Sequence, residues 1–245
     1  MADDEPLPPL TVPEIVGLFQ STDAEERLDG LIGLAELVDD AFGEEGARLG
    51  AAVRAADVPR WLGYLIVDPS VQCQQQALLL VGNLCSDSVD PQSYLTKQSL
   101  LQEESAMKAI KKALKSSDAN VLVCACGCVQ NLCNDDGWAN TLHANDAVGI
   151  LLALLTHEDH RVKHYAAGAV KNMMSKIGKS GDLKEISAEA QEAIKKRERD
   201  QMLAAIRYQR AIRLIRNYAK NIAPERRLQR LMASHNPAPS EEAKA

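Results

Sequence analysis

The sequence predicts an all-α fold, a solenoid of about four helical repeats closed by a C-terminal capping helix. Three observations carry that expectation. One residue pattern recurs four times along the 245-residue chain, and an Asp or Ser stands at the same place in every copy. The third is composition: aromatics are only 4%, so Leu, Ile, Val, Ala and Met must fill the core, a mix that favours helix over sheet.

The four copies align without gaps on Glu36, Asn83, Asn131 and Asn172, spaced 47, 48 and 41 residues apart. One residue later stand Leu37, Leu84, Leu132 and Met173; two earlier, Leu34, Val81, Val129 and Val170; six earlier, Gly30, Ala77, Ala125 and Ala166. These offsets trace one face of a helix. Thirteen positions before each anchor come Asp23, Ser70, Asp118 and Asp159, side chains whose oxygen can accept a free first-turn N–H. Upstream, Ile15, Leu62, Ile110 and Leu151 mark a second amphipathic helix in each copy, with Leu18, Leu65 and Leu154 beside them. Val53, Leu101 and Leu142 mark a shorter first helix in the last three copies; the first copy has Pro6 there and should lack it. Atypical terminal repeats are expected, because the end of a stack faces water.

A period of about 40–47 residues with three helices per unit fits two solenoid classes, armadillo and HEAT. The segment Leu142-His-Ala-Asn-Asp-Ala-Val-Gly-Ile-Leu-Leu-Ala-Leu-Leu, followed by Asp159, Val162, Ala166 and Ala169-Val-Lys-Asn172-Met, resembles the armadillo repeat. Asn120-Val through Asn131-Leu132-Cys133 and Gln72 through Asn83-Leu84-Cys85 look like the same third helix. The resemblance covers about residues 12–176, with repeats at about 12–38, 44–86, 99–134 and 137–176. It implies a right-handed α-solenoid of about four armadillo-type repeats that binds another protein along a concave groove and catalyses nothing.

Flanking segments are read from composition. Residues 1–11 form an acidic flexible N-terminus, 177–186 a linker around Gly178-Lys-Ser-Gly181, and 234–245 a disordered tail. Between them, 187–233 should be a basic helical cap, opened by Ser187 and interrupted by Pro224. The loop Ser86–Ser105 is long for a repeat connection and should protrude. The formal net charge of −6 hides an asymmetry: residues 1–183 hold 14 Lys+Arg against 26 Asp+Glu, residues 184–232 hold 13 against 6. An acidic body argues against nucleic-acid binding except through the C-terminal helix and favours a partner with an extended or basic segment. No apolar run reaches the roughly 18 residues of a membrane span. The acidic start, Met1-Ala-Asp-Asp-Glu, does not resemble a secretory signal. The expected compartment is therefore intracellular, cytoplasmic or nuclear, with all six cysteines reduced.

Family resemblance places the Asn column on the groove, with Gln76, Asn83, Asn131, Asn134, Arg161, Tyr165 and Asn172 as the candidate binding residues. An Asn amide donates and accepts, so a ladder of them can hold an extended peptide backbone; alternatively each Asn caps its own helix end. Importin-alpha-like armadillo proteins carry Trp four residues before this Asn, where this chain has Leu79, Gly127 and Gly168. That departure counts against nuclear-signal recognition.

Other constellations are weighed and set aside. Cys124, Cys126, Cys128 and Cys133 follow C-x-C-x-C-x4-C, not the paired C-x2-C of zinc sites, and read as small buried thiols. His160 and His164 are i, i+4 near His157 and Asp159, but without an H-E-x-x-H context they read as surface histidines. The sequence calls for no metal, no cofactor and no catalytic residue. The basic stretch Arg207, Arg210, Arg213, Arg216 and Lys220 is a possible secondary surface for calmodulin-like proteins, acidic membrane or nucleic acid, if it is not the cap. Rival readings are an exchange factor for a heat-shock chaperone and a thiol- or metal-dependent enzyme.

Overall fold

A computed structural model describes residues 9–177 and positions 192, 195, 196, 199, 200, 202 and 203. The chain divides into two compact units, residues 1–195 and 196–245. The described positions of the second are helical and exposed. Residues 1–8, most of the expected linker, nearly all of the expected cap and the tail lie outside the described residues.

Every described element is a helix. A pair, α1 (Val12–Phe19) and α2 (Ala24–Asp39), is followed by three triplets. These are α3 (Glu44–Ala55), α4 (Val58–Leu65) and α5 (Val71–Leu84); α6 (Ser93–Gln102), α7 (Glu104–Ala113) and α8 (Ala119–Leu132); and α9 (Asp136–Ala144), α10 (Ala147–Leu154) and α11 (His160–Ile177). The long third helices start where the capping residues stand. Asp23 accepts from the Glu25 N–H at 2.9 Å, Ser70 from Cys73 at 3.4 Å, Asp118 from Val121 at 2.9 Å and Asp159 from Arg161 at 2.8 Å. Each bond satisfies a first-turn donor that the helix itself cannot. In two triplets the turn between first and second helix passes through an aspartate in the left-handed region, Asp57 (φ 56°) and Asp146 (φ 57°).

The helices stack in rows. The third helices α2, α5, α8 and α11 pack each against the next, the first helices α3, α6 and α9 form a second row, and α1, α4 and α7 a third. Between the rows runs one continuous apolar core. It contains the residues two before each anchor, Leu34, Val81, Val129 and Val170, all at most 2% exposed. Such stacking buries faces that no single unit could cover alone. Polar staples cross the same seams: the Arg27 guanidinium holds the nearly buried Asp68 carboxylate through two bonds of 2.7 and 3.0 Å.

The segment between α5 and α7 departs from expectation. It does not protrude; α6 occupies it, packed between α3 and α9. The buried face of α6 is Ser93, Thr96, Lys97 and Leu100, helical spacing with mostly polar residues, which is why it read as a loop. Partners make that burial tolerable. Arg54 donates to Asp90 at 2.8 Å and to Thr96 at 3.0 Å, Ser93 hydrogen-bonds Asp87, and the buried Trp138 Nε1–H donates to the Lys97 carbonyl at 2.8 Å. Close approach of the preceding strap requires glycine on α3: a Cβ at Gly46 would collide with the Val89 carbonyl, and one at Gly50 with the Asp90 carboxylate.

Candidate functional site

The row α2, α5, α8 and α11 presents one face on which the anchor column lies. Four residues before each anchor stand Ile32, Leu79, Gly127 and Gly168. Ile32 and Leu79 are 43% and 45% exposed, large aliphatic side chains left standing out of their helices. At Gly127 the ridge stops, and the Tyr165 ring of α11 lies beside the vacancy, 3.6 Å from where a Cβ would be. The result is a pocket of about 310 Å³ between α5, α8 and α11. Leu79, Val123, Cys124 and Tyr165 line it along with Gly82 and Gly127, and Asn83 and Asn131 supply amides.

The ladder does something neither sequence reading anticipated. Asn131 donates Nδ2–H to the carbonyl of Gly82 at 2.9 Å, and Asn172 donates to that of Gln130 at 2.7 Å. Each acceptor is the residue just before the preceding Asn of the column, so the amides tie one third helix to the next. Both Asn side chains are half-buried. Asn83 is exposed and, among the described residues, makes no such bond; α2 offers Glu36 at the equivalent place.

The remaining candidates divide accordingly. Asn83, Asn131 and Tyr165 meet around the pocket, whereas Gln76, Asn134, Arg161 and Asn172 do not line it. Gln76 is half-buried on α5 and Asn134 exposed just past α8. Arg161 is engaged, donating to Asp159 at 2.7 Å and to Asn120 at 3.1 Å, which links the starts of α8 and α11. Its guanidinium holds the Asp159 carboxyl down at about 2. Ile32 and Val123 were missed by sequence reasoning; the column four before the anchors, extended to the first repeat, would have found Ile32. The basic positions Arg207, Arg210, Arg213, Arg216 and Lys220 lie outside the described residues.

At the α2 end the face turns acidic. Glu36 on α2 and Asp40, the residue that caps its C-terminal end, line a second pocket of about 560 Å³ with Glu45, walled by Leu37 and Leu49.

The cysteines are packing groups. Five are buried and Cys124 is half-buried. Burial pushes the thiols of Cys85, Cys126 and Cys133 up to about 12, and that of Cys128 well above the ordinary range. Among the described residues no group of three or more His, Cys, Asp or Glu is placed to hold a metal ion. His157 accepts from the Asp159 N–H at 3.0 Å, and His164 stands edge-on to Tyr165. No described helix is long and apolar enough to cross a membrane.

No family model matches the sequence, and no curated protein matches it significantly. Solved structures do. A designed armadillo repeat protein, YIII(Dq)4CqI, superposes with a TM-score of 0.59 at 18% identity, over 75% of this chain and 79% of that one. A second, YIII(Dq.V1)4CPAF in complex with the peptide (KR)4, gives 0.61 at 18% identity over 76% and 79%. An engineered protein from a structural-genomics consortium gives 0.59 at 23% identity over 76% and 67%. The fold is an armadillo-type helical solenoid. In armadillo terms the face described above is that of the third helices. Its ladder is Asn in three copies and Glu in the first, and the position four before is aliphatic in two copies and glycine in two.

Proposed function

We propose that this chain is a non-enzymatic protein-interaction scaffold that binds an extended segment of a partner along the α2–α5–α8–α11 face. One observation carries the reading: Asn83 presents an exposed carboxamide, with no side-chain hydrogen bond among the described residues, beside the exposed Leu79 and a pocket opened by Gly127. A carboxamide offers an N–H and a carbonyl together, the complement of a peptide backbone. The exposed Leu79 joins the partly exposed Tyr165 across the pocket, an apolar patch next to the one amide of the ladder with no side-chain bond among the described residues. Armadillo-type folds commonly mediate protein binding, and one similar designed protein was solved in complex with the basic peptide (KR)4. The acidic body of this chain favours basic segments for the same electrostatic reason. Thiols held well above neutral pH by burial are poor nucleophiles, which supports a binding rather than a catalytic role.

The test places a photo-crosslinking amino acid at position 83 and, as control, at position 112 on α7. Adducts with a partner from position 83 and not 112, lost when Leu79→Ala weakens binding, support the reading. Adducts from 112 alone move the interface off this face.

A further inference from the structure

We infer that the groove selects an extended segment in which one apolar side chain, seated in the pocket beside Leu79 and Tyr165 above Gly127, is accompanied by a Lys or Arg lying against Glu36 and Asp40. The inference rests on the binding reading above and adds the chemistry of the segment it would recognise.

The apolar half follows from shape. Leu79 and Gly127 occupy the same place in adjacent repeats, so the groove has an aliphatic ridge on α5 and a gap on α8. Val123 and the Tyr165 ring complete the walls, and no carboxylate, ammonium or guanidinium lines the pocket. A charged side chain entering it would lose its hydration without a counter-charge. An aliphatic one would bury its carbons against Leu79 and Tyr165, while Asn83 is left to pair with the peptide backbone.

The basic half follows from charge. Glu36 takes the ladder position on α2, with Asp40 one turn on and Glu45 across the second pocket, and no Lys or Arg lines that pocket. Leu37 and Leu49 offer an apolar wall for the stem of a long cationic side chain. Packed helices lie about 8–10 Å apart. An extended chain rises about 3.3 Å per residue and returns to the same face every second one. Gly127 on α8 and Glu36 on α2 are two such spacings apart, so the basic residue falls about four to six positions from the apolar one.

The probe is a fluorescent acetylated 13-residue peptide with Leu at its centre, Lys four and six residues to either side, and Ser between, read by anisotropy at low salt. Companion peptides replace the Leu by Ala or all Lys by Glu. Wild-type protein should bind the Leu peptide about five- to tenfold more tightly than the Ala peptide. Gly127→Leu should erase that preference. The substitution copies what α5 already carries at this place; a Cβ at Gly127 makes only ordinary contacts, and the rest of the side chain would enter the pocket. A thermal melt of the variant checks that it folds. Glu36→Gln with Asp40→Asn should weaken both Lys peptides equally, and the Glu peptide should not bind. If Leu and Ala peptides bind alike, and Asn83→Ala weakens both, the groove reading stands and the apolar pocket is wrong. Binding unchanged by Glu36→Gln with Asp40→Asn overturns the basic half. If no Lys peptide binds below about 1 mM, both this inference and the groove reading for such segments fall.

Discussion

The side-chain amide of Asn172 donates to the main-chain carbonyl of Gln130, 2.7 Å away on the neighbouring third helix. Asn131 repeats the arrangement toward Gly82, and Asn83 does not. One column of identical residues therefore divides into structural and available members. Asn131→Ala and Asn172→Ala should each cost about 1–2 kcal/mol, a hydrogen bond plus a carbonyl left without its partner. Asn83→Ala should stay within about 0.5 kcal/mol of wild type. Urea denaturation of the three single variants checks the ranking; equal losses at all three would return Asn83 to a structural role.

Arg27 and Asp68 form a largely buried ion pair between repeats, with side chains 12% and 6% exposed. Removing one partner strands the other charge, so Asp68→Ala should lose about 3 kcal/mol or more, while Arg27→Met with Asp68→Leu should recover most of it. A double-mutant cycle measures this. A double variant no more stable than the worse single would mean the site cannot accept apolar replacements.

Glycines on the helices should respond to alanine with opposite signs. At Gly17 and Gly149 an added Cβ meets nothing within 4 Å, so alanine should stabilise by about 0.5–1 kcal/mol through helix propensity alone. At Gly46 and Gly50 it would collide with the strap leading to α6. There alanine should destabilise by about 2 kcal/mol or more despite the same propensity gain. Thermal melts of the four variants settle it, and a stabilising Gly50→Ala would show that the Val89–Asp90 strap is free to move away.

Alkaline pH should unfold the protein early. Cys85, Cys126 and Cys133 have folded-state values of about 12, above the roughly 8.5 of an unfolded thiol. The folded state holds these protons longer, so their contribution is complete below about pH 8.5 and is lost as pH rises toward 12. At pH 10 each thiol should cost about 2 kcal/mol relative to neutral pH. Stability measured from pH 7 to 10.5 should fall steeply in wild type and less in a variant carrying Cys85→Ala, Cys126→Ala and Cys133→Ala. Parallel slopes would mean the thiols ionise without opening the core.

The third helices were legible because two local signals agree: an apolar stripe of helical period and a capping side chain at a constant distance before it. The expectation that the opening repeat lacks a first helix rests on Pro6, which lies outside the described residues. α6 was legible only at its end, where Leu101 marks a first helix; its start was read as loop because its inward face is Ser93, Thr96 and Lys97 and their partners, Arg54, Asp87, Asp90 and Trp138, lie outside it. The site was half legible. Asn83, Asn131 and Tyr165 do gather round one pocket, but the inter-helix bonds of Asn131 and Asn172 depend on carbonyls 49 and 42 residues away. Arg161 was read as a groove residue, but Asp159, two positions back, engages its guanidinium, and its bond to Asn120 depends on a residue 41 positions away.

Those separations have a kinetic meaning. The side-chain bonds that cross between repeats, from Arg27–Asp68 to Asn172–Gln130, span between 36 and 49 residues, one repeat and no more. Among the described residues, none of these bonds joins α1 or α2 to α9, α10 or α11, so opening at one described end should break mainly the seam at that end. Amide exchange should then be graded along the stack, fastest in α1 and α2 and slowest in α5 and α8. A segment lying across α2, α5 and α8 would be the first tie longer than one repeat, and on binding it should slow exchange at the frayed end most.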